Sequence, residues 1–373
     1  MKAIAPVLVF TLVISALSAG SAKMDKRFGL VIFFYMISTL LAAIAAVVAS
    51  FIFPVSLNLT QAVEETAAPQ GIGEVMHNLL MNMVANPIQA ISSGSYIGIL
   101  TWAVILGLAF KKFASDNTKK VLSDVAEAVS TAVKWVINLA PFGIMGLVFN
   151  TVSQEGLEIF VTYGKLLGLL VGSMLVVALI IDPLIAFIFL HRNPYPLVFR
   201  CLKNSGITAF FTRSSAANIP VNMEFCEKLG LDKDMYSVCI PLGATINMDG
   251  AAITITVMTL AAANTVGASV DVPTAIILSF LAALAACGAS GVAGGSLLLI
   301  PMACSLFGIP GDVAMQVVGV GFIIGVVQDS VETMLNSSGD VMFAATAEYY
   351  ARIKDGRSDE LPTFLGGKHV VEK

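Results

Sequence analysis

The sequence predicts an all-α polytopic membrane protein with two re-entrant helical hairpins. Three observations predict it. Hydrophobic residues make up 57% of the 373 and charged residues 12%, with mean hydropathy +0.87; soluble domains carry about 25% charge. Residues 3–22, 28–63, 75–110, 135–154, 250–270, 272–311 and 313–328 contain no Asp, Glu, Lys or Arg, and about 20 apolar residues cross a bilayer core. Two segments, about 197–231 and 272–308, carry small or polar residues in the middle, where a spanning helix would run uninterrupted. The net charge of −4 leaves no basic footprint for nucleic acid. The five cysteines (201, 226, 239, 287 and 304) form no CxxC pair, so neither a disulfide framework nor a zinc site is indicated.

In chain order, residues 1–22 read as a membrane helix. A cleaved secretory signal is the competing reading, but cleavage would leave Lys23, Lys26 and Arg27 outside. Further basic groups follow: Lys111, Lys112, Lys119 and Lys120 before a long helix of about 119–153; His191 and Arg192 after a helix of about 158–190; Arg352, Lys354 and Arg357 after the last helix. Between them, 54–74 (Glu64, Glu65, Glu74) and 154–158 (Glu155, Glu158) contain no Lys or Arg. The positive-inside rule makes the basic loops cytoplasmic and the acidic ones external. The last twenty or so residues read as a polar cytoplasmic tail.

The stretch 272–311 holds Cys287-Gly288-Ala289-Ser290-Gly291-Val292-Ala293-Gly294-Gly295-Ser296, too many small residues for one helix. Its arms, 272–286 and 297–308, would be about 22 and 18 Å long, against a hydrocarbon core of about 30 Å. Each reaches part-way, so the segment is a re-entrant hairpin whose tip lies in the protein interior. Two short helices with a surface loop is the competing reading. Residues 197–231 repeat the pattern around Thr212-Arg213-Ser214-Ser215. A helix with an expected polar break follows each tip: Asn247-Met248-Asp249-Gly250 and Asn336-Ser337-Ser338-Gly339-Asp340. One crossing separates the hairpins, so they enter from opposite faces. Such an inverted repeat is a secondary-transporter architecture with its site near the midplane.

Asp329, Thr333, Asn336 and Asp340 fall on one helix face, with Glu332 at its edge. Helix–helix hydrogen bonding would explain a polar stripe. However, Asp249, Asp329, Glu332 and Asp340 have only Arg213 in view as a cationic partner, and surplus membrane carboxylate wants a cation. Asp and Asn oxygens with freed carbonyls suit a hard ion such as sodium. Asp182, before Pro183 near an expected helix end, reads as structural. Gly288-Ala289-Ser290-Gly291 matches the GxSG pattern of intramembrane serine proteases, but no histidine (77, 191 or 369) is placed to activate the serine. A channel needs a continuous pore, which hairpins closing from both sides would block.

The Thr212–Ser215 tip, the Asn247–Gly250 break and the stripe ending at Asp340 resemble the sodium:dicarboxylate symporter family of glutamate transporters. The text from Ala209 to Pro220 and from Ile240 to Thr256 is similar to its bacterial sodium/serine-threonine branch. The resemblance covers essentially the whole chain. It implies a glutamate-transporter-like fold with two inverted hairpins, a homotrimer in the bacterial inner membrane, and an elevator mechanism. Residues 1–22 and 54–153 would form the scaffold, 24–53 and 158–354 the transport domain, and 355–373 the cytoplasmic tail. It also implies a chain that is N-terminally short, lacking the first helix of the family.

The family's site residues carry over as expectations. Substrate would be held by Arg213, Ser214 and Ser215 from one tip, Val292 and Ser296 from the other, and Met248, Asp329, Glu332, Thr333 and Asn336 between them. Asp329 would take the substrate ammonium and Asn336 its carboxylate. One sodium would lie among Gly243, Asn247, Asn336 and Asp340. A second would use Thr245, Ala286, Cys287 and Ala289. A third would use Tyr35, Ser38, Thr39, Asn247 and Asp249. Acidic-substrate members carry Arg where this chain has Glu332 and a hydroxyl where it has Ala251. A carboxylate at 332 repels a second substrate carboxylate, so the resemblance implies sodium-coupled import of serine and threonine. Sodium- or proton-coupled symport of dicarboxylates or acidic amino acids is the alternative on the same fold. No enzymatic activity is expected.

Overall fold

The computed structural model describes residues 5–18, 26–57, 59, 80–81, 83–93, 96–138, 145, 158–287, 289 and 294–370. Among these the architecture is helical, and the one β-bridge joins Pro362 to His369. Helix α1 (Ala5–Ser18) packs against α4 (Tyr96–Phe113) and α5 (Asp116–Asn138), with the short α3 (Pro87–Ser93) beside α4. Helix α2 (Lys26–Ile52) packs instead on the C-terminal half. Among the described residues, four helical stretches are long and apolar enough to cross a membrane: Arg27–Ile52, Val161–Leu190, Lys233–Thr265 and Gly311–Lys354.

Proline shapes the 158–190 stretch. Pro183 has no N–H and crowds the preceding turn. The helix absorbs this in a π turn, Val177–Ile181, between α6 (Glu158–Val176) and α7 (Asp182–Leu190). The Asp182 N–H reaches back to the Val177 carbonyl. Asp182 therefore lies mid-helix rather than at a helix end, and its side chain is buried.

The first hairpin runs through α8 (Tyr195–Cys201), a π turn (Leu202–Gly206) and α9 (Ile207–Thr212), then returns along α10 (Ser215–Lys228). Arg213 makes the reversal in the left-handed region (φ 49°). Ser214 caps α10, its Oγ accepting from the Ala217 N–H at 3.2 Å. The second hairpin starts at the Asp271 cap, where the Thr274 hydroxyl and N–H hold the exposed carboxyl below its usual range. It climbs α13 (Val272–Ala286), the 15-residue arm predicted, and returns through a 3-10 turn, Ser296–Leu299, into α14 (Ile300–Ser305). Tip residues 288 and 290–293, including the expected contact Val292, lie outside the described residues. Ile276, Phe280 and Leu284 form an exposed apolar stripe on α13, as lipid contact requires.

The two expected helix breaks differ. Between α11 (Lys233–Ile246) and α12 (Asp249–Thr265) the chain leaves helical geometry at Asn247 and Met248. Helix α15 (Gly311–Lys354), by contrast, is continuous for 44 residues through Asn336–Asp340, which corrects the second expected break. The small residues there serve close approach. A Cβ at Gly339 would sit 2.8 Å from Asn247 Nδ2, so the glycine lets the broken helix reach the intact one.

The polar C-terminus is docked on the helices. Residues 358–370 fold back in two 3-10 turns, Ser358–Glu360 and Thr363–Leu365. Leu361 and Leu365 enter a core with Leu197, Cys201 and Leu229. Arg192 Nη1 donates to the Leu365 carbonyl at 2.5 Å, and the Arg200 guanidinium lies 4.6 Å from the centre of the Phe364 ring. Leu361 is fully buried, so Leu361→Ala is expected to cost about 2–5 kcal/mol. The measurement is the unfolding midpoint in detergent, together with maleimide labelling of Cys201, which is expected to speed up. An unchanged midpoint and labelling rate would mean that this segment is not docked.

Candidate functional site

The broken helix and α15 cross where the sequence places its carboxylates. Asn247 is fully buried, and its Nδ2 donates to the Asn336 carbonyl at 3.0 Å and to Asp340 Oδ1 at 3.1 Å. The Asn247 N–H bonds the Gly243 carbonyl at 2.9 Å. A Cβ at Gly243 would lie 2.6 Å from Asp340 Oδ1, so glycine is what lets the backbone meet the carboxylate. The expected first ion set, Gly243, Asn247, Asn336 and Asp340, is therefore together. Two buried oxygens in it, Asp340 Oδ2 and Asn247 Oδ1, have no hydrogen-bond partner among the described residues. Buried acceptors without donors are rare, and both are hard oxygen ligands.

The third expected set surrounds Asp249. Thr39 donates to Asp249 Oδ1 at 2.9 Å and Ser38 contacts Oδ2 at 2.6 Å. The Tyr35 hydroxyl donates to the Asp340 carbonyl at 3.1 Å, which links this set to the first. Ser38 Oγ also lies 2.8 Å from Asp182 Oδ1, a carboxylate read from sequence as structural. The signal that could have found it is Pro183, because proline inside a membrane helix re-aims the neighbouring side chains.

For the second expected set, Cys287 Sγ lies 3.7 Å from the Ile246 carbonyl. The C-terminal ends of α11 and α13 thus meet at the Ile246–Cys287 contact. Their partial negative charges add at that point, a field that favours a cation. The Thr245 hydroxyl turns back to the Leu242 carbonyl at 2.7 Å. The Ala286 carbonyl accepts from the Ala289 N–H at 2.9 Å.

Of the expected substrate residues, Met248, Ser296, Asp329, Glu332, Thr333 and Asn336 gather at the same crossing. Asn336 Oδ1 accepts from the Gly250 N–H at 2.8 Å. That bond orients the amide and leaves its Nδ2 against the weak Met248 Sδ acceptor at 3.5 Å. Asp329 Oδ1 accepts from the Gly294 N–H of the second tip at 3.2 Å, and Arg213 makes the reversal of the first tip. Thr333 Oγ1 bonds back to the Asp329 carbonyl at 2.8 Å. Ser215 is buried. Glu332 Oε2 accepts from Thr254 at 2.7 Å, Ser296 at 2.9 Å and Gln328 at 2.5 Å. Gln328 and Thr254 were missed by sequence reasoning; Gln328 sits one turn before Glu332, the spacing that could have found it. A second missed network ties the first hairpin to α15. Asn218 Nδ2 lies 2.8 Å from Ser337 Oγ, and Asn222 Nδ2 donates to the Ser337 carbonyl at 3.0 Å.

This geometry predicts a contrast between two glycines. Gly243→Ala forces Asp340 and Tyr35 apart, at a cost of about 1–3 kcal/mol. Gly29→Ala meets nothing within 4 Å and should gain a few tenths to about 1 kcal/mol of helix stability. Unfolding midpoints of the two variants in detergent should move in opposite directions. Equal midpoints would mean that Gly243 does not abut the carboxylate.

Comparison with known proteins places the chain among transporters. Residues 1–349 match the family model described as the sodium:dicarboxylate symporter family. The chain is 65% identical over 368 residues to the serine/threonine transporter SstT of Bifidobacterium adolescentis, covering 99% of this chain and 85% of that protein. It is 61% identical over 353 residues to SstT of Streptococcus agalactiae serotype III, covering 93% and 87%. SstT of Streptococcus thermophilus is 58% identical over 349 residues, with the same two coverages, 93% and 87%.

Proposed function

The chain belongs to the sodium:dicarboxylate symporter family, and from that premise we propose that it imports serine and threonine in symport with sodium. The observation that carries the ion coupling is Asp340. It is fully buried, with Oδ2 unpaired and no Lys or Arg bonded to it among the described residues. A buried carboxylate in that state is stabilised by a positive charge, and sodium supplies one that also travels. The names of the similar proteins support serine and threonine as substrates.

The residues divide the work by charge. Asp329 takes the substrate ammonium. The Asn336 amide, oriented by Gly250, donates to the carboxylate. The first tip (Arg213, Ser214, Ser215) and the second (Val292, Ser296) close over it from opposite sides, with Met248 and Thr333 alongside. Sodium ions occupy the three oxygen sets described above, as co-transported cargo. Glu332 faces the substrate side chain, where it excludes a second carboxylate by like charge. That feature favours a neutral hydroxylated substrate over the dicarboxylates in the family's name.

In the same reading the protein is a homotrimer in the bacterial inner membrane, with its C-terminus cytoplasmic. Residues 24–53 and 158–354 move as the transport domain against a scaffold of 1–22 and 54–153. The packing of α1 on α4 and α5, and of α2 on α12, α13 and α15, supports that division.

Uptake of radiolabelled serine into proteoliposomes is expected to require an inward sodium gradient. Uptake undiminished in potassium or choline medium would reject the coupling. Asp340→Asn should raise the sodium concentration for half-maximal uptake at least about tenfold, with normal membrane insertion, because a carboxylate–cation contact is worth about 1.5–3 kcal/mol or more. Unchanged sodium dependence would make Asp340 structural.

Glu332→Arg is expected to weaken serine and to let unlabelled aspartate compete. A like-charge contact then becomes an ion pair, a reversal on the order of several kcal/mol in a desolvated site. If aspartate competes equally poorly with variant and parent, Glu332 does not face the substrate.

A further inference from the structure

Glu332 is held in place by more hydrogen bonding than a merely buried carboxylate requires. Gln328 Nε2 lies 2.5 Å from Glu332 Oε2 and 2.7 Å from Thr254 Oγ1, so one amide hydrogen faces the two oxygens together. Thr254 in turn donates its own hydrogen to Glu332 Oε2 at 2.7 Å. Ser296 of the second hairpin adds its hydroxyl at 2.9 Å. Every donor in this cluster points, directly or through Thr254, at one carboxylate oxygen. The other oxygen, Oε1, takes no hydrogen bond among the described residues.

Gln328 is oriented this way against its own interest. Its Oε1 is buried with no partner among the described residues, a loss that proteins seldom accept without a function. The stem of Glu332 is fixed as well: a Cβ at Gly250 would lie 2.8 Å from Glu332 Cα and 2.9 Å from its Cγ. Helix α12, helix α15 and the second hairpin therefore hold one carboxylate in one orientation, with one oxygen saturated and one open.

We propose that Gln328 and Thr254 are positioning residues for substrate selectivity: by saturating Glu332 Oε2 they leave Oε1 as a fixed acceptor for a side-chain hydroxyl. The proposal rests on the serine/threonine reading above. A fixed charged acceptor favours a hydroxyl over a methyl group because no rotation or desolvation remains to be done when the substrate arrives. Serine should therefore be preferred over alanine, which differs from it by that hydroxyl alone.

The test compares half-saturating serine and alanine concentrations for sodium-driven uptake into proteoliposomes. The proteins are the parent chain and the variants Thr254→Val, Gln328→Met and Thr254→Ser. Val and Met keep shape and remove the donors. The serine-over-alanine preference should fall about tenfold in both, the usual weight of a hydrogen bond to a charged group. The sodium concentration for half-maximal uptake, which the three ion sets control, should not follow it. Thr254→Ser should restore the preference.

Ser296→Ala removes the third donor from the hairpin side and gives the same readout should the core variants fail to insert. A parent without sodium-driven serine uptake overturns the substrate reading and this proposal with it. If the parent transports serine but the variants weaken serine and alanine alike, or Thr254→Ser behaves as Thr254→Val, this proposal alone is overturned.

Discussion

Everything in the C-terminal half is arranged around carboxylates that have left water without a fixed counter-ion. Asp182, Asp249, Asp329, Glu332 and Asp340 are all buried. The ion pairs among the described residues lie elsewhere, as in Arg27 with Asp232 and Glu348, and Arg352 with Glu348. An unpaired charge in a low-dielectric interior is strongly destabilising. The fold meets that demand with hydroxyls, amides and N–H groups: Ser38 and Thr39 for Asp249, Asn247 for Asp340, the Gly294 N–H for Asp329, and Thr254, Ser296 and Gln328 for Glu332. Dipoles of this kind hold a carboxylate in place but do not neutralise it. The remaining charge is what mobile cations can answer.

The same groups make the second hairpin conditional. Its tip meets α15 through the Gly294 N–H on Asp329 and the Ser296 hydroxyl on Glu332, two carboxylates that the proposed mechanism also assigns to the substrate. A hairpin that lifts gives up both contacts, and a substrate that enters must compete with or complete them. The first hairpin is attached differently, through Asn218, Asn222 and Ser337, away from the proposed substrate ligands. The hairpins are alike in outline but differ in what holds them down.

Sequence legibility follows the range of the interaction. The α15 stripe was readable because helical periodicity is local, and the arm Val272–Ala286 because glycine and length arguments are local too. The Asp182–Ser38 contact joins residues 144 apart; Pro183 marks the place in one helix, but nothing local names the partner in the other. Asn336–Asp340 was misread as a break because Asn-Ser-Ser-Gly resembles turn chemistry. Inside the protein those small residues admit Asn247 instead, and the helix runs on. The docking of the C-terminus is illegible for the opposite reason. Its many charges mask Leu361 and Leu365, two side chains that suffice to dock it.

That docked C-terminus makes a physical handle. The Pro362–His369 bridge closes residues 358–370 on themselves, and the Arg192 bond to Leu365 and the ring of Phe364 under Arg200 fasten them to the start of the first hairpin. Val370, beside that bridge, is largely exposed. A chromophore or spin label carried there would sit on a rigid mount rather than a loose tether. Paired with a second label on α4, it would convert the proposed elevator stroke into a distance, read without touching a residue of the ion or substrate sites.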